Sequence, residues 1–190
     1  MDRNLAHRAY RAHRSPRSRS RGLTLIECCI GVSVAGILVA SALPSFDASR
    51  QKRALEGLAA EVATDLRYVR SEAVVRNEGV RISFYTTAGG AQCYVVHTGD
   101  RAQCSCADGG VAQCQGEAQL IKSGYDGARG VALVANVQSM LFTPGNGTTV
   151  PGGTVCMATP SGRELRHVVS IMGRVRTCEP RTQGTPCGAC

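Results

Sequence analysis

Between Arg21 and Ser45 the chain reads RGLTLIECCIGVSVAGILVASALPS. A basic leader closes on Gly22, and about twenty apolar residues follow, broken by one acid, Glu27. A helix rising about 1.5 Å per residue crosses the ~30 Å hydrocarbon core of a bilayer in that length. A carboxylate there costs roughly 2.5–3.5 kcal/mol at the membrane centre and less towards the interface, so the acid needs either the interface or a partner. A rival reading comes from Ala40-Ser41-Ala42, which has the small-x-small form of a secretory cleavage site and would discard the apolar stretch. That reading leaves Glu27 inside the apolar region and does not explain why the sequence beyond Ala42 continues with helical character. The retained helix is the better expectation.

The location of the charge agrees with it. The 190 residues carry a formal +8, but Arg3, Arg8, Arg11, Arg14, Arg17, Arg19 and Arg21 all precede Leu23, with Asp2 as the one acid among them. Without those residues, 15 bases face 13 acids, a balance of +2. The basic excess is thus a cluster before an apolar span, which keeps the N-terminus in the cytoplasm and sends the C-terminal part across the membrane. A nucleic-acid partner has to be argued from a local patch, not from net charge.

Ten cysteines suit an oxidising compartment. Cys28 and Cys29 fall in the apolar span, leaving Cys93, Cys104, Cys106, Cys114, Cys156, Cys178, Cys187 and Cys190 as disulfide candidates. Eight cysteines allow 105 connectivities, and the sequence does not choose among them. Zinc is the competing use of Cys104-x-Cys106, Cys114 and Cys187-x-x-Cys190. No histidine stands at ligand spacing from these clusters, so bridges are expected and neither a metal nor another cofactor is.

From Ser45 to about Asn77 a second helical stretch continues the first. Leu55, Leu58, Val62, Leu66, Val69 and Ala73 recur at intervals of three and four, one stripe of a 3.6-residue helix. Arg53, Glu56, Glu61, Arg67 and Glu72 occupy the other surface, with Glu72 and Arg76 in the favourable i, i+4 order; Gly79 is the expected stop. Strand-like segments follow at Val80–Tyr85, Cys93–His97, Gln119–Lys122, Val131–Val134, Ser139–Phe142, Thr154–Met157 and Glu164–Thr177. Pro160-Ser161-Gly162 reads as a hairpin turn, Asp100–Glu117 as a cysteine-bearing loop and Thr143–Gly153 as a loop too polar for a core.

The junction of basic leader, Gly22, Leu23, Glu27 and Pro44 resembles the class III prepilin signal of type IV pilins and type II secretion pseudopilins. In that family a prepilin peptidase cuts after the glycine and methylates the new N-terminus, which implies cleavage between Gly22 and Leu23 and N-methylation of Leu23. The spacing of all four positions matches. Leucine stands where the family usually has phenylalanine, and Cys28 and Cys29 replace aliphatic residues. The segment LRYVRSEAVVRNEGVRISF (Leu66 to Phe84) and the late GRVR (Gly173 to Arg176) narrow the likeness, which is similar to the GspH/FimT group of minor pseudopilins and minor type IV pilins. The resemblance implies that Glu27 pairs with the amine of Leu23, on its own or a neighbouring subunit, as filaments assemble. Opposite charges in low dielectric relieve each other's desolvation, and so select the register.

Arg174 and Arg176, two apart, would lie on one face of a strand about 6.6 Å from each other, and two guanidinium forks can grip phosphate oxygens. Arg163, Arg166, His167 and Arg181 are candidates to enlarge the patch, opposed by Glu164 and Glu179. The element resembles the GRxR used for DNA binding by the FimT branch; the bland alternative is solvated arginines flanking a core strand. Contact with two to four phosphates implies a salt slope of about −2 to −4 and weak, sequence-independent binding. No aromatic residue occurs beyond Phe142, so backbone contact rather than base stacking is expected.

No nucleophile signature accompanies His97 or His167, and no phosphate-cradling glycine loop is present, so an enzyme is not expected. The expected fold is α+β and pilin-like, a long N-terminal helix packed on a small antiparallel β domain. Its expected parts are a cleaved leader (1–22), a transmembrane half-helix (23–44), an amphipathic half-helix (45–78), a periplasmic β domain (79–178) and a C-terminal tail (179–190). The expected function is that of a FimT-like minor pilin, single-pass in the inner membrane, assembled with other pilins and contacting double-stranded DNA during natural transformation. The alternative is a GspH-like pseudopilin of type II secretion with no DNA role.

Overall fold

A computed structural model of the chain describes residues 22–126, 130–180 and 187. The expectations for the leader, Arg181 and Cys190 lie outside the described residues. The chain divides into two compact units, Met1–Ala42 and Leu43–Cys190.

The first unit contains the start of helix α1 (Leu25–Arg76). Thr24 and Glu27 open it reciprocally: the Glu27 amide donates to the Thr24 hydroxyl at 3.3 Å, and the Glu27 carboxylate accepts from the Thr24 amide at 3.5 Å. This T-x-x-E arrangement satisfies two amides that have no partner within the helix. Leu25, Ile26, Ile30, Val32, Ile37 and Leu38 are all exposed, and α1 contains an 18-residue window of mean hydropathy 2.1. By length and composition it can cross a membrane, where lipid or neighbouring helices would cover these side chains.

In the second unit the helical stripe becomes core. Leu55, Leu58, Val62, Leu66, Val69 and Ala73 are each at most 4% exposed, and burying a leucine or valine contributes about 1.5–3 kcal/mol. The helix ends at Arg76, and its cap is Asn77, two residues before the expected Gly79: Asn77 adopts φ +52°, its amide donates to the Val74 carbonyl, and the Glu78 amide reaches back to Ala73. This is a left-handed cap carried by asparagine, which tolerates that conformation better than most residues.

Among the described residues the strands are β1 (Val80–Thr86), β2 (Gln92–Thr98), β3 (Cys104–Cys106), β4 (Ala112–Cys114), β5 (Leu120–Tyr125), β6 (Ala132–Ala135), β7 (Ser139–Phe142), β8 (Thr149–Val150), β9 (Gly153–Ala158), β10 (Glu164–Val169) and β11 (Val175–Cys178). They form antiparallel sheets in the orders β5-β2-β1-β7-β8, β11-β10-β9-β6 and β3-β4. The stripe of α1 packs into one cluster with Ile82, Phe84, Tyr94 and Val96 of the first sheet and Leu133, Val155, Met157 and Val169 of the second. A long helix on a small antiparallel β unit is the α+β, pilin-like architecture expected.

Three segments differ from the sequence reading. Glu164–Thr177 is not one strand but the hairpin β10–β11, folded at Ser170–Gly173, where the Gly173 amide donates to Ser170 and the Ser170 amide to Arg174. Asp100–Glu117 is not only loop: β3 and β4 pair within it. Thr143–Gly153 contains β8, whose Thr149 is fully buried, its amide donating to Ile171.

Three bridges are defined, Cys93–Cys106, Cys104–Cys114 and Cys156–Cys187, and Cys178 is also disulfide-bonded. Cys104 and Cys114 face each other across the β3–β4 register, and Cys106 ties that hairpin to β2. A small second cluster of Cys93, Val95 and Cys104, with Cys106, Cys114, Tyr85 and Tyr125 against it, contains the first two of these bridges. Sulfurs held in bridges are not thiolates available to zinc. Cys28 and Cys29 are free and exposed.

Candidate nucleic-acid interface

The β10–β11 hairpin presents its residues on two faces, because antiparallel partners share a side of the sheet. His167 pairs with Thr177, and Val168 with Arg176. The His167 face turns inward: Nε2 donates to the Ala59 carbonyl of α1 at 2.7 Å, and Nδ1 accepts from the Thr177 hydroxyl at 3.0 Å. A carbonyl can only accept, so the ring carries its proton on Nε2. His167 is therefore a core residue holding β10, β11 and α1 together, and it does not enlarge an arginine patch. His97 is equally buried, with Nδ1 donating to the Thr98 carbonyl at 2.8 Å and Nε2 accepting from Ser83 at 2.9 Å.

Arg166 is on the outer face but is 2% exposed. Its Nε and Nη2 donate to the Glu164 carboxylate at 2.6 and 3.2 Å. Two positions apart on one strand face, the two side chains form a forked pair that consumes the guanidinium's fork, so Arg166 leaves the candidate set. Arg163 is exposed but directly precedes β10, about 20 Å by strand rise from the turn at its other end. It lines a separate groove with Lys52, Glu56, Glu164 and Glu179.

Arg174 and Arg176 are exposed and meet in one shallow groove with Val168, Ser170 and Met172. Arg174 precedes β11 rather than lying within it; its amide donates to the Ser170 hydroxyl at 3.3 Å. Neither guanidinium has an ion-pair partner among the described residues.

Arg174 also lines a second groove, between the turn and α1, together with Arg67, Arg70, Val74, Val75 and Asn146. The GRVR glycine explains how the elements come so close. Gly173 has φ +70°, and a Cβ on it would collide with the Gly147 carbonyl and lie 3.1 Å from Arg70 Nε. On the other side a Cβ on Gly147, itself at φ +61°, would lie 2.7 Å from Arg70 Cγ. Arg70 thus runs through a slot that two glycines keep open, and its Nη2 reaches the Asn146 carbonyl at 3.5 Å. The sequence reading did not single out Arg70 and placed Arg67 only on the solvated side of α1; their position within the LRYVRSE segment was the signal, but the partner turn is a hundred residues away.

A further buried ionic group went unanticipated. Asp65 lies on the packed side of α1 at 1% exposure, accepting from the Tyr94 hydroxyl at 2.6 Å and pairing with Lys122 Nζ at 2.5 Å. Its carboxylate is paired and hydrogen-bonded, as burial requires.

A helix with a membrane-compatible start and an acid in its first turn, joined to a disulfide-bridged antiparallel β unit, defines a pilin-like protein. The chain belongs to the family described as type II transport protein GspH, which residues 58–173 match. It is 28% identical over 157 residues to the pilin-like protein PilA1 of Thermus thermophilus, an alignment covering 82% of this chain and 97% of that protein. Among solved structures it is similar to the type IV minor pilin FimU of Pseudomonas aeruginosa, at 20% identity and a TM-score of 0.48 over 69% of this chain and 96% of FimU. It is also similar to the minor pseudopilin EpsH of the type 2 secretion system of Vibrio cholerae, at 12% identity and 0.48 over 67% and 98%. The family is one of structural pilins and pseudopilins rather than enzymes.

Proposed function

We propose that this chain is a minor type IV pilin that contacts the backbone of double-stranded DNA during uptake. The observation that carries the reading is the pair of exposed guanidiniums of Arg174 and Arg176, in one groove that no acid lines among the described residues. Arginine suits phosphate because its planar fork matches two oxygens at once. The rest of the reading follows the membrane segment. The peptidase cuts between Gly22 and Leu23 and methylates Leu23, the N-terminus stays cytoplasmic, and the second unit is periplasmic until the subunit joins other pilins in a filament. The Glu27 carboxylate already folds back to the amide of Thr24, the residue next to the amine that cleavage would create at Leu23, which supports its role as that amine's counter-charge in assembly.

The test is a polarisation titration of labelled duplex DNA with full-length protein in detergent micelles at two salt concentrations. Wild type should bind weakly, without sequence preference, and Arg174→Ala/Arg176→Ala should remove most of that binding. Absence of wild-type binding at low salt would overturn the DNA role. A second reading, a GspH-like pseudopilin with no DNA contact, is favoured by one observation: Ile171 and Met172 at the hairpin turn and Val75 on α1 are more than 60% exposed, an apolar surface suited to a neighbouring subunit.

A further inference from the structure

We infer that the phosphate-contacting surface extends beyond the GRVR arginines onto helix α1, as a track of Arg176, Arg174, Arg70 and Arg67, with Arg70 held in place at its centre. The inference rests on the DNA reading above and names how the ligand is seated.

The two grooves beside the hairpin turn are adjoining sites that share Arg174, one carrying Arg176 and the other Arg67 and Arg70. Among the described residues no acid lines either, whereas the Arg163 groove contains three glutamates. Arg67 and Arg70 are three apart on one helix face, with Cβ atoms about 5–6 Å apart, and Arg174 and Arg176 are two apart on an extended segment. The track therefore repeats positive charge at intervals of several ångströms across two elements, as a polyanion with regularly spaced charges requires. An isolated carboxylate would need only one such pair.

Arg70 differs from the other three. A free arginine loses side-chain rotamer entropy when a ligand fixes it. The stem of Arg70 is already confined between Gly147 and Gly173, so less is lost on binding. The glycine of GRVR then has a function of its own: it brings the turn against α1 so that the arginine after it joins the two on the helix. Val74 and Val75, exposed beside them, offer an apolar surface to deoxyribose.

The experiment uses the full chain in detergent and a labelled duplex, comparing wild type, Arg174→Ala/Arg176→Ala, Arg67→Ala/Arg70→Ala and Arg67→Ala alone, with thermal melts to verify folding. Four phosphate contacts imply a salt slope of about −3.6, and either double substitution should lower it to about −1.8. Affinity at low salt should fall at least about tenfold with each double substitution, and Arg67→Ala, which touches no packed glycine, should reduce the slope by about 0.9. If the GRVR pair is required but the helix variants keep the wild-type slope, this inference is overturned and the DNA reading stands. If wild type does not bind, both fall. If the helix variants bind DNA normally but are lost from sheared filaments, the groove seats a neighbouring pilin instead.

Discussion

His167 of β10 donates from Nε2 to the carbonyl of Ala59 on α1 at 2.7 Å, across 108 positions of sequence. Burial disfavours the imidazolium and lowers the His167 pKa below the ordinary value of 6.5; the Ala59 carbonyl opposes this shift and Arg67 adds to it. His97 is lowered in the same way, first by burial, with Thr98 opposing and Arg81 contributing. The unfolded chain therefore takes up protons that the folded chain refuses. Stability should be fully present above about pH 6.5 and be lost progressively as pH falls towards the folded values. Melting temperature followed from pH 8 to pH 5 checks this, and His167→Ala, which removes the ring's bonds to the Ala59 carbonyl and the Thr177 hydroxyl, should destabilise by about 1–3 kcal/mol while flattening the pH dependence. A flat wild-type profile would contradict it.

The bridges should be worth more than their positions near loops suggest. Closing loops of 10 to 31 residues contributes roughly 2–4 kcal/mol each in the chain-entropy account. Cys104→Ser/Cys114→Ser should lower the unfolding free energy by about that much, and thiol counting in denaturant should find two free thiols, Cys28 and Cys29. More than two would mean that the exported cysteines are not all paired.

Glu27→Ala should leave membrane insertion intact, since it removes a costly charge, yet reduce recovery in sheared filaments. Loss of the Thr24 capping contact costs only about 0.5–2 kcal/mol locally, too little to unfold a retained span. Equal recovery of variant and wild type would show that the acid has no assembly role.

Gly173→Ala adds no charge and removes none. The methyl group would collide with the Gly147 carbonyl and require φ +70° of a residue with a Cβ. Strain and displacement of this kind cost about 1–3 kcal/mol, and the turn should move away from Arg70. The expected result is a modest fall in melting temperature with a larger loss of DNA affinity; unchanged affinity would mean that the approach of turn and helix is not needed.

What the sequence revealed was local or periodic. The stripe from Leu55 to Ala73 was legible because three- and four-residue spacing has one helical reading, and β1, β7 and β9 were legible because their apolar runs end in turn residues. The β10–β11 hairpin was missed because Ile171 and Met172 continue an apolar pattern through the turn; Ser170 and Gly173, favoured at the first and fourth positions of a type I turn, were the available signal. Arg174 and Arg176 were legible as a pair, since two residues on extended chain share a face. Burial of Arg166 by Glu164, the Asp65–Lys122 pair across 57 positions, the Arg70 slot and the disulfide partners all depend on contacts distant in sequence or on which strand face is covered. Neither composition nor periodicity encodes those.

The most direct test of a filament subunit that contacts DNA is uptake of labelled duplex by cells whose only copy carries Arg174→Ala/Arg176→Ala, with filament incorporation and type II secretion followed in the same strain. The account predicts that uptake is lost while the variant enters filaments at the wild-type level and secretion continues. Wild-type uptake, or a loss of secretion with uptake unaffected, would contradict it and assign the chain to protein export.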